Sequence, residues 1–154
     1  MYFGHGDKDA LIVPAGLLRK KVVLADEVNL TGTPDRIVIA VACWSSDGLG
    51  KAATDKIHSV PVQSYLGWLD EVSWPEEWPD PIGDAVVEGL SPLFNGQTVA
   101  DCRRELESRL DDAHDTYRTQ GQNHMAPDRV PFGKMCALYW RHRMDVQGDD
   151  RASI

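Results

Sequence analysis

The sequence predicts an α/β fold built around a mainly parallel sheet. The first observation is the run Arg36-Ile37-Val38-Ile39-Ala40-Val41, which is rich in β-branched residues and shows no polar alternation. Such a run is typical of a strand buried on both faces of a parallel sheet. The second observation is a pair of amphipathic helical patterns further along the chain, over residues 82–94 and 98–117.

The composition fits a single globular domain and argues against two classes of partner. The chain has 154 residues, of which 42% are hydrophobic and 26% charged, enough for one domain with its own core. Its formal net charge is −8, which argues against direct binding of nucleic acid, because phosphate binding needs a basic surface. No apolar stretch reaches the roughly 18 residues of a membrane-spanning helix. We therefore expect neither a nucleic-acid nor a membrane partner.

The cysteines are few and irregularly spaced. Cys43, Cys102 and Cys136 form an odd set without CxxC spacing, which matches neither a disulfide framework nor a zinc site. No charged and apolar leader precedes the first motif, so no secretory signal is expected. A reducing, cytoplasmic location follows as the default.

The N-terminal half is predicted to contain mainly short strands, because its apolar runs are brief and bounded by Gly, Pro, Asp and Ser. Residues 15–24 suit either a strand or a short helix, and residues 25–30 fit one helical turn. Residues 44–56, rich in Ser, Gly and Asp, indicate a loop or a short helix. The strands are expected at residues 1–3, 10–13, 36–42 and 59–66.

The C-terminal half is predicted to be mainly helical. Residues 68–81 carry three Trp and three Pro, too many prolines for a helix, so a surface loop with aromatic anchors is expected there. Apolar residues at helical spacing predict a helix over 82–94. Thr98, with Asp101 three residues on, has the pattern of a capped start for a second helix, which runs to about residue 117. The remaining expectations are a polar loop at 119–130, a last strand or packed segment at 134–146 and a frayed tail from residue 148.

Cys43 stands where the buried strand ends, in the motif Ala42-Cys43-Trp44-Ser45-Ser46. A cysteine in an apolar run is usually a buried small hydrophobe, and we interpret Cys102 and Cys136 in that way. Cys43 differs because polar residues follow it closely, so it is expected at the carboxyl edge of the sheet, where open α/β sheets place their sites. It is the candidate nucleophile.

His5 lies between two glycines in the motif Gly4-His5-Gly6-Asp7. A lone histidine is more often structural or solvated, but flanking glycines permit a positive φ and a close approach of backbones. If the strand that ends near His5 is the sheet neighbour of the strand that ends at Cys43, the thiol and imidazole emerge side by side, as a cysteine nucleophile requires. The amides of Gly6 and Cys43 would then form an oxyanion hole.

These motifs resemble those of caspase-like cysteine peptidases. Gly4-His5-Gly6 and the strand-terminal Ala42-Cys43 are similar to the His-Gly and Ala-Cys motifs of that group. The likeness is greatest to the CHAT family, whose members are bacterial and often fused to TPR repeats. Later segments also match the family pattern: Ser64–Trp68 for a strand ending near Trp, residues 81–94 and 96–102 for a helix pair, and Tyr139-Trp140 and Gly148-Asp149 for its closing residues.

The resemblance implies a caspase-like three-layer sandwich with a mainly parallel sheet. A complete sheet of this kind has strands and a helix before the histidine strand, whereas only three residues precede Gly4. Residues 1–149 are therefore expected to be the C-terminal portion of a CHAT peptidase domain that lacks its N-terminal strands, with 150–154 as a tail. Because a missing half-sheet exposes an apolar edge, we expect an upstream segment, a sensor domain or a partner chain to complete it.

The resemblance further implies an endopeptidase that forms an acyl-enzyme on Cys43, with His5 as general acid/base. Such an endopeptidase needs no metal or cofactor and takes a protein or peptide substrate. The resemblance implies a role in regulated proteolysis, which includes antiviral defence in bacteria. Asp7 and Asp47 flank the motifs and are candidates to bind a basic substrate side chain, as acidic pockets do in several relatives. The alternative for both is a solvated loop acid.

Two other functions stay open at this point. A caspase-like fold that has lost activity would act as an interaction or regulatory module, and the block Trp44-Ser45-Ser46-Asp47-Gly48, which departs from the family's Cys-x-Ser-Gly pattern, agrees with that interpretation. An unrelated doubly wound α/β protein would bind a small ligand at the same edge, although no GxGxxG or P-loop pattern is present. A thiol that shares a cleft with His5 favours the peptidase, and one turned into the core favours the module.

Overall fold

The structure, a computed structural model, describes residues 2–3, 5–15, 18–24, 36–55, 62–73 and 80–154. These residues form a mixed α/β fold, as the sequence predicts. They divide into two compact units, which we call the sheet unit and the helical unit. The sheet unit comprises Met1–Glu71 and Met144–Ser153, and the helical unit comprises Val72–Arg143 with Ile154.

The sheet unit contains a four-stranded sheet in the order β1-β5-β6-β7. Strands β1, β5 and β6 run parallel, and β7 pairs with β6 in the antiparallel direction. The strands predicted at 1–3 and 36–42 are confirmed, while the one predicted at 59–66 begins only at Ser64, and residues 56–61 lie outside the described residues. The bounds are Tyr2–Phe3 for β1, Ile37–Val41 for β5, Ser64–Trp68 for β6 and Met144–Gly148 for β7.

Strand β5 carries the apolar core of this unit. Ile39, Ala40 and Val41 are each at most 5% exposed. Successive residues of a strand point to opposite faces, so burial of all three means that both faces are covered, which explains the absence of polar alternation in this run. The core cluster around it consists of Leu11, Ala40, Ala42, Leu49, Ala53, Val62 and Tyr65.

A second, antiparallel sheet in the same unit has the order β2-β3-β4. Strands β2 and β3 form a hairpin with its turn at Lys8-Asp9, in which His5 lies opposite Ile12. The segment that suited either a strand or a helix is a strand, and the helical turn predicted at 25–30 lies outside the described residues. The bounds are His5–Asp7 for β2, Ala10–Ala15 for β3 and Leu18–Leu24 for β4.

A short helix follows β5. Ser46–Gly50 forms a π-helical turn that continues as the α-helix α1, Lys51–Thr54. The Gly50 amide donates to the Ser45 carbonyl oxygen at 3.0 Å, which is the wide spacing that defines a π turn. Of the two alternatives for residues 44–56, the short helix is therefore the correct one.

The helical unit is described for Val72–Ser73 and residues 80–143. In it, helix α4 packs against both α2 and α6. The capping box predicted for Thr98 is confirmed: the Asp101 amide donates to Thr98 Oγ1 at 3.2 Å, and the Thr98 amide donates to Asp101 Oδ2 at 3.0 Å. The helices are α2 at Pro81–Gly89, α3 at Ser91–Phe94, α4 at Val99–Thr119, α5 at Gly121–His124 and α6 at Arg129–Arg143.

Of the two alternatives for residues 134–146, the strand is wrong over most of its length, because α6 covers residues up to 143 and only β7 is extended. The apolar run Met135-Cys136-Ala137-Leu138 suggested a strand, but Met135 and Leu138 are exposed. The buried residues of α6 recur at helical spacing instead: Val130, Gly133, Cys136, Ala137 and Trp140.

Other local expectations also differ from the structure. The single helix predicted at 82–94 is divided at Leu90 into α2 and α3, and the loop at 119–130 contains α5. The tail does not fray in the described residues: the Asp149 amide donates to the Gln63 carbonyl oxygen at 2.9 Å, and Ala152 is buried. In the stretch expected as a loop, Trp68 belongs to β6 and is fully buried, and residues 74–79 lie outside the described range.

Leu90→Ala should lower the free energy of unfolding by about 2–5 kcal/mol, because truncation of a buried leucine leaves a cavity. Leu90 is 2% exposed. Phe94→Ala is the matched control from the same predicted apolar stripe. Because Phe94 is 69% exposed, its truncation should change the free energy by no more than about 0.5 kcal/mol. Urea unfolding followed by circular dichroism measures both, and equal losses would show that Phe94 is buried after all.

Candidate functional site

The parallel pairing of β1 with β5 brings the histidine and cysteine motifs to one edge of the sheet. Tyr2 lies opposite Ala40, and Phe3 lies opposite Val41. Cys43 follows the last paired residue of its strand by two positions, and His5 does the same on the neighbouring strand. The carboxyl ends of parallel strands meet at the same edge. The condition that the two motifs follow neighbouring strands is therefore met.

Gly6 and Cys43 approach each other closely. A Cβ atom built on Gly6 would lie 2.5 Å from the Cys43 carbonyl oxygen and 3.0 Å from the Ala42 Cβ. No side chain fits in that space, so the close approach requires glycine here. The backbone conformation does not itself require glycine, because Gly6 is not among the described glycines with positive φ. Gly4, on the other side of His5, lies outside the described residues.

The two candidate side chains are accessible, unlike the other cysteines. His5 is exposed in β2, and Cys43 is half-buried in the turn after β5. Cys102 and Cys136 are both buried, which confirms their interpretation as core residues. Burial raises the pKa of both buried thiols, that of Cys102 to about 12. Cys43 is therefore the cysteine that a reagent or substrate reaches most easily.

The turn after Cys43 has an uncommon backbone conformation. Trp44 has a φ of 48°, a left-handed conformation that is rare for a bulky side chain. Its amide donates to the Asp70 carbonyl oxygen at 3.0 Å, which ties the turn to the residues after β6. The left-handed residue lets the chain pass from a strand into a helical turn within a few residues.

Ser45 links this turn to two strands and was missed as a site residue by the sequence analysis. It is fully buried, and its Oγ donates to the Ala40 carbonyl oxygen at 2.9 Å and accepts from the Trp68 amide at 3.2 Å. A Cβ on Gly67 would lie 2.7 Å from the same Oγ. The signal was the pair of serines directly after a strand end, where polar side chains bind free backbone groups.

The second of these serines, Ser46, is also fully buried. Its Oγ donates to Asp145 Oδ2 at 2.7 Å. Because Asp145 belongs to β7, the start of the π-helical turn is joined to the far strand of the sheet by a charge-assisted hydrogen bond.

The predicted acidic substrate contacts, Asp7 and Asp47, each bind groups of this chain. Asp7 Oδ1 accepts a hydrogen bond from the Asp9 amide at 2.9 Å, within the hairpin turn. Asp47 Oδ1 lies 2.7 Å from Lys51 Nζ, and its Oδ2 lies 4.0 Å from Lys8 Nζ. The hydrogen bond and charge of Lys51 lower the pKa of Asp47. A substrate cation at Asp47 would therefore compete with two lysines.

The hairpin turn touches the π-helical turn directly, another feature that the sequence analysis missed. A Cβ built on Gly48 would overlap the Lys8 carbonyl oxygen. The ion pair between Lys8 and Asp47 joins the same two turns. A glycine shortly after a strand end, at a place with no need for a positive φ, was the available signal for this close approach.

Other kinds of site find no support in the described part of the chain. No group of three or more His, Cys, Asp or Glu residues there could hold a metal ion. No helix in that part is both long and apolar enough to cross a membrane. Two cavities of about 300 Å³ and 410 Å³ are lined by residues of the helical unit, and neither includes a residue of the two motifs.

Comparisons with known proteins found nothing: no family model, curated protein or solved structure matches this chain. The resemblance to the CHAT family therefore stays a prediction that rests on the motif residues. The roles of His5 and Cys43, and of the Gly6 and Cys43 amides as oxyanion donors, stay predictions as well.

Gly6→Ala should push the hairpin away from Cys43, because the new methyl group has no space beside the Cys43 carbonyl oxygen. We expect faster hydrogen exchange in β2 and β3, and a loss of about 1–3 kcal/mol in the free energy of unfolding. Mass spectrometry of exchanged peptides measures the first effect.

Gly96→Ala is the control for this substitution. A Cβ there meets nothing within 4 Å, and any cost comes from its φ of 72°. Exchange should change only near the connection between α3 and α4. Unaltered exchange of the hairpin in Gly6→Ala would contradict the close approach.

Proposed function

We propose that this chain is a cysteine endopeptidase of the caspase-like (CHAT) type, or the C-terminal portion of one. Cys43 is the nucleophile and His5 the general acid/base. The observation that carries the proposal is the contact between the backbones of Gly6 and Cys43, at the edge where β1 and β5 both end. A cysteine nucleophile needs a base in reach and backbone amides nearby, and this contact, which brings the residue after His5 against Cys43, supports the pairing of the two motifs.

The caspase-like three-layer sandwich is part of the proposal. It is supported by the parallel run β1-β5-β6, in which the strand before His5 neighbours the strand before Cys43. Among the described strands, β1 lies at an edge and has only two residues. Because proteins cover or pair such edges, the proposal includes an upstream segment, a sensor domain or a partner chain that extends the sheet beyond β1.

In the proposed reaction, the proton of the Cys43 thiol passes to His5, and the thiolate attacks the carbonyl carbon of the scissile peptide bond. The resulting oxyanion accepts hydrogen bonds from the amides of Gly6 and Cys43. When the C–N bond breaks, His5 gives its proton to the leaving amine, and the acyl group remains on sulfur as a thioester. Water then attacks the thioester carbon while His5 takes a proton from it. The C–S bond breaks, the acid product leaves, and His5 returns the proton to the Cys43 sulfur.

The proposed substrate is a protein or peptide. Asp7 and Asp47 are the proposed contacts for a basic side chain next to the scissile bond. At Asp47 such a side chain would replace Lys51 and Lys8, which are both largely exposed and free to swing away. The proposed setting is regulated proteolysis in the cytoplasm, including antiviral defence, with a sensor that switches the peptidase.

Cys43 should react with iodoacetamide faster than Cys102 or Cys136 in the folded chain, since both of the others are buried and have raised pKa values. The greater accessibility of Cys43 would by itself give this order of alkylation rates. The substitution His5→Gln therefore tests whether His5 activates the Cys43 thiol. This substitution keeps a polar side chain and removes the base, and it should slow alkylation of Cys43 by about tenfold at pH 7. Equal or faster alkylation of Cys102 would refute the assignment of Cys43.

Cleavage of peptides from a proteome-derived library, read by mass spectrometry, should require both residues of the pair. Cys43→Ala and His5→Gln should each reduce cleavage by at least about a hundredfold. Both should leave the thermal midpoint nearly unchanged, because the two side chains lie at a sheet edge. Cys102→Ala is the control that removes a thiol without touching the site. Cleavage that persists in Cys43→Ala would exclude the peptidase, and an intact chain that never cleaves would favour the interaction module.

A further inference from the structure

The hydroxyl of Tyr2 connects the four-stranded sheet to the hairpin that carries His5. Tyr2 belongs to β1, and its side chain packs against the core cluster of the sheet unit. Its Oη lies 3.0 Å from the His5 carbonyl oxygen and 2.5 Å from the Ile12 carbonyl oxygen. His5 and Ile12 face each other across β2 and β3. One side chain therefore binds both strands of the hairpin at the level of the candidate base.

The chemistry of these contacts is restrictive. Carbonyl oxygens only accept hydrogen bonds, and a phenol has a single proton, so the two contacts share one O–H group. Only protonated Tyr2 can make them. Burial raises the pKa of Tyr2, against the smaller opposite effect of the bond to Ile12. The hydroxyl therefore stays a donor over the whole neutral range.

The hairpin needs such a link because the ladder of the main sheet stops before His5. The pairing of β1 with β5 ends at Phe3 and Val41, and β2 belongs to the other sheet. The contacts at Gly6 and Gly48 are close approaches of backbones, which set how near the hairpin can come. The ion pair of Lys8 with Asp47 is long and exposed, so it contributes little.

Apolar packing supplies part of the attraction, since Leu11 of β3 is buried in the core cluster. That packing has no preferred direction, and it acts on the strand that does not carry His5. The hydroxyl of Tyr2 is a directional contact to the His5 residue itself. It limits both the distance and the rotation of β2 relative to β1.

We propose that Tyr2 is a positioning residue for His5. Its hydroxyl fixes the hairpin so that His5 keeps its place at the edge of the sheet where Cys43 lies. This inference rests on the proposed function of the pair, but it assigns to Tyr2 a role that neither motif contains. Tyr2 touches no reacting atom and acts only through the backbone of His5.

The test is a double-mutant cycle on the full chain, with iodoacetamide as the probe of Cys43. Tyr2→Phe removes only the hydroxyl and keeps the ring that packs against the core. His5→Gln should slow alkylation by about tenfold in the unmodified chain but by less than about twofold in the Tyr2→Phe background. The pH profile of alkylation between pH 5 and 9 should become the same in Tyr2→Phe as in His5→Gln.

Tyr117→Phe is the matched control. The Tyr117 hydroxyl is buried, it has no hydrogen-bond partner and it lies in the helical unit. Its removal should leave both the alkylation rate and its pH profile unchanged. Should Tyr2→Phe not fold, 3-fluorotyrosine at position 2 replaces it, because this analogue keeps the contacts at neutral pH. It loses its proton on mild alkalinisation, so the effect of His5 should then disappear reversibly.

The outcomes separate the two proposals. If His5→Gln changes alkylation in the unmodified chain and Tyr2→Phe leaves that effect intact, the positioning role is overturned while the proposed function stands. If Tyr2→Phe lowers only the thermal midpoint, the hydroxyl is merely structural and the positioning role is likewise overturned. If His5→Gln has no effect on alkylation or cleavage in the unmodified chain, the proposed function fails, and the role of Tyr2 fails with it.

Discussion

The close approach of Gly6 to Cys43 is the contact on which the candidate site depends, because only a hydrogen atom fits between the two backbones. It exists because two parallel strands end at the same edge, and because the chain leaves the first of them at once to form a hairpin. If Gly6 carried a side chain, the hairpin would have to move outward, and His5 would move with it. The absence of a Cβ at one position thus sets how near the hairpin that carries His5 can come to Cys43.

The two halves of the site are held by different means. Cys43 follows a central strand, and the turn after it is bound to β5 and β6 by the Ser45 hydroxyl and to the residues beyond β6 by the Trp44 amide. Many contacts of this kind can maintain a left-handed tryptophan against its intrinsic cost. His5, in contrast, lies on a hairpin held by the Tyr2 hydroxyl, the burial of Leu11 and steric limits. In the described residues, the cysteine side is bound directly to the central strands, whereas the histidine side is attached through a separate hairpin.

The features that the sequence predicted well are those encoded by neighbouring residues. The buried strand at 36–42 was visible from its β-branched run, and the start of α4 from Thr98 and Asp101, because strand patterns and caps are local. Helix α6 was misread because exposed Met135 and Leu138 mask its helical spacing. For the candidate site, the sequence predicted that both motifs lie at one edge of the sheet, because each motif directly follows the end of a strand.

The contacts that hold the motifs together were not predictable in the same way. The approaches of Gly6 to Cys43 and of Gly48 to Lys8 join residues about 40 positions apart, and such contacts depend on the assembled sheets. No local pattern in the sequence predicts these contacts.

The strain at Trp44 and the half-burial of Cys43 bear on function. Burial would stabilise a structural cysteine, as it does Cys102, whereas a half-buried thiol adds less to stability. A left-handed tryptophan costs about 1–3 kcal/mol. Local features that oppose stability are retained mostly where they serve a site, and this is the physical reason to seek chemistry at Cys43 rather than packing.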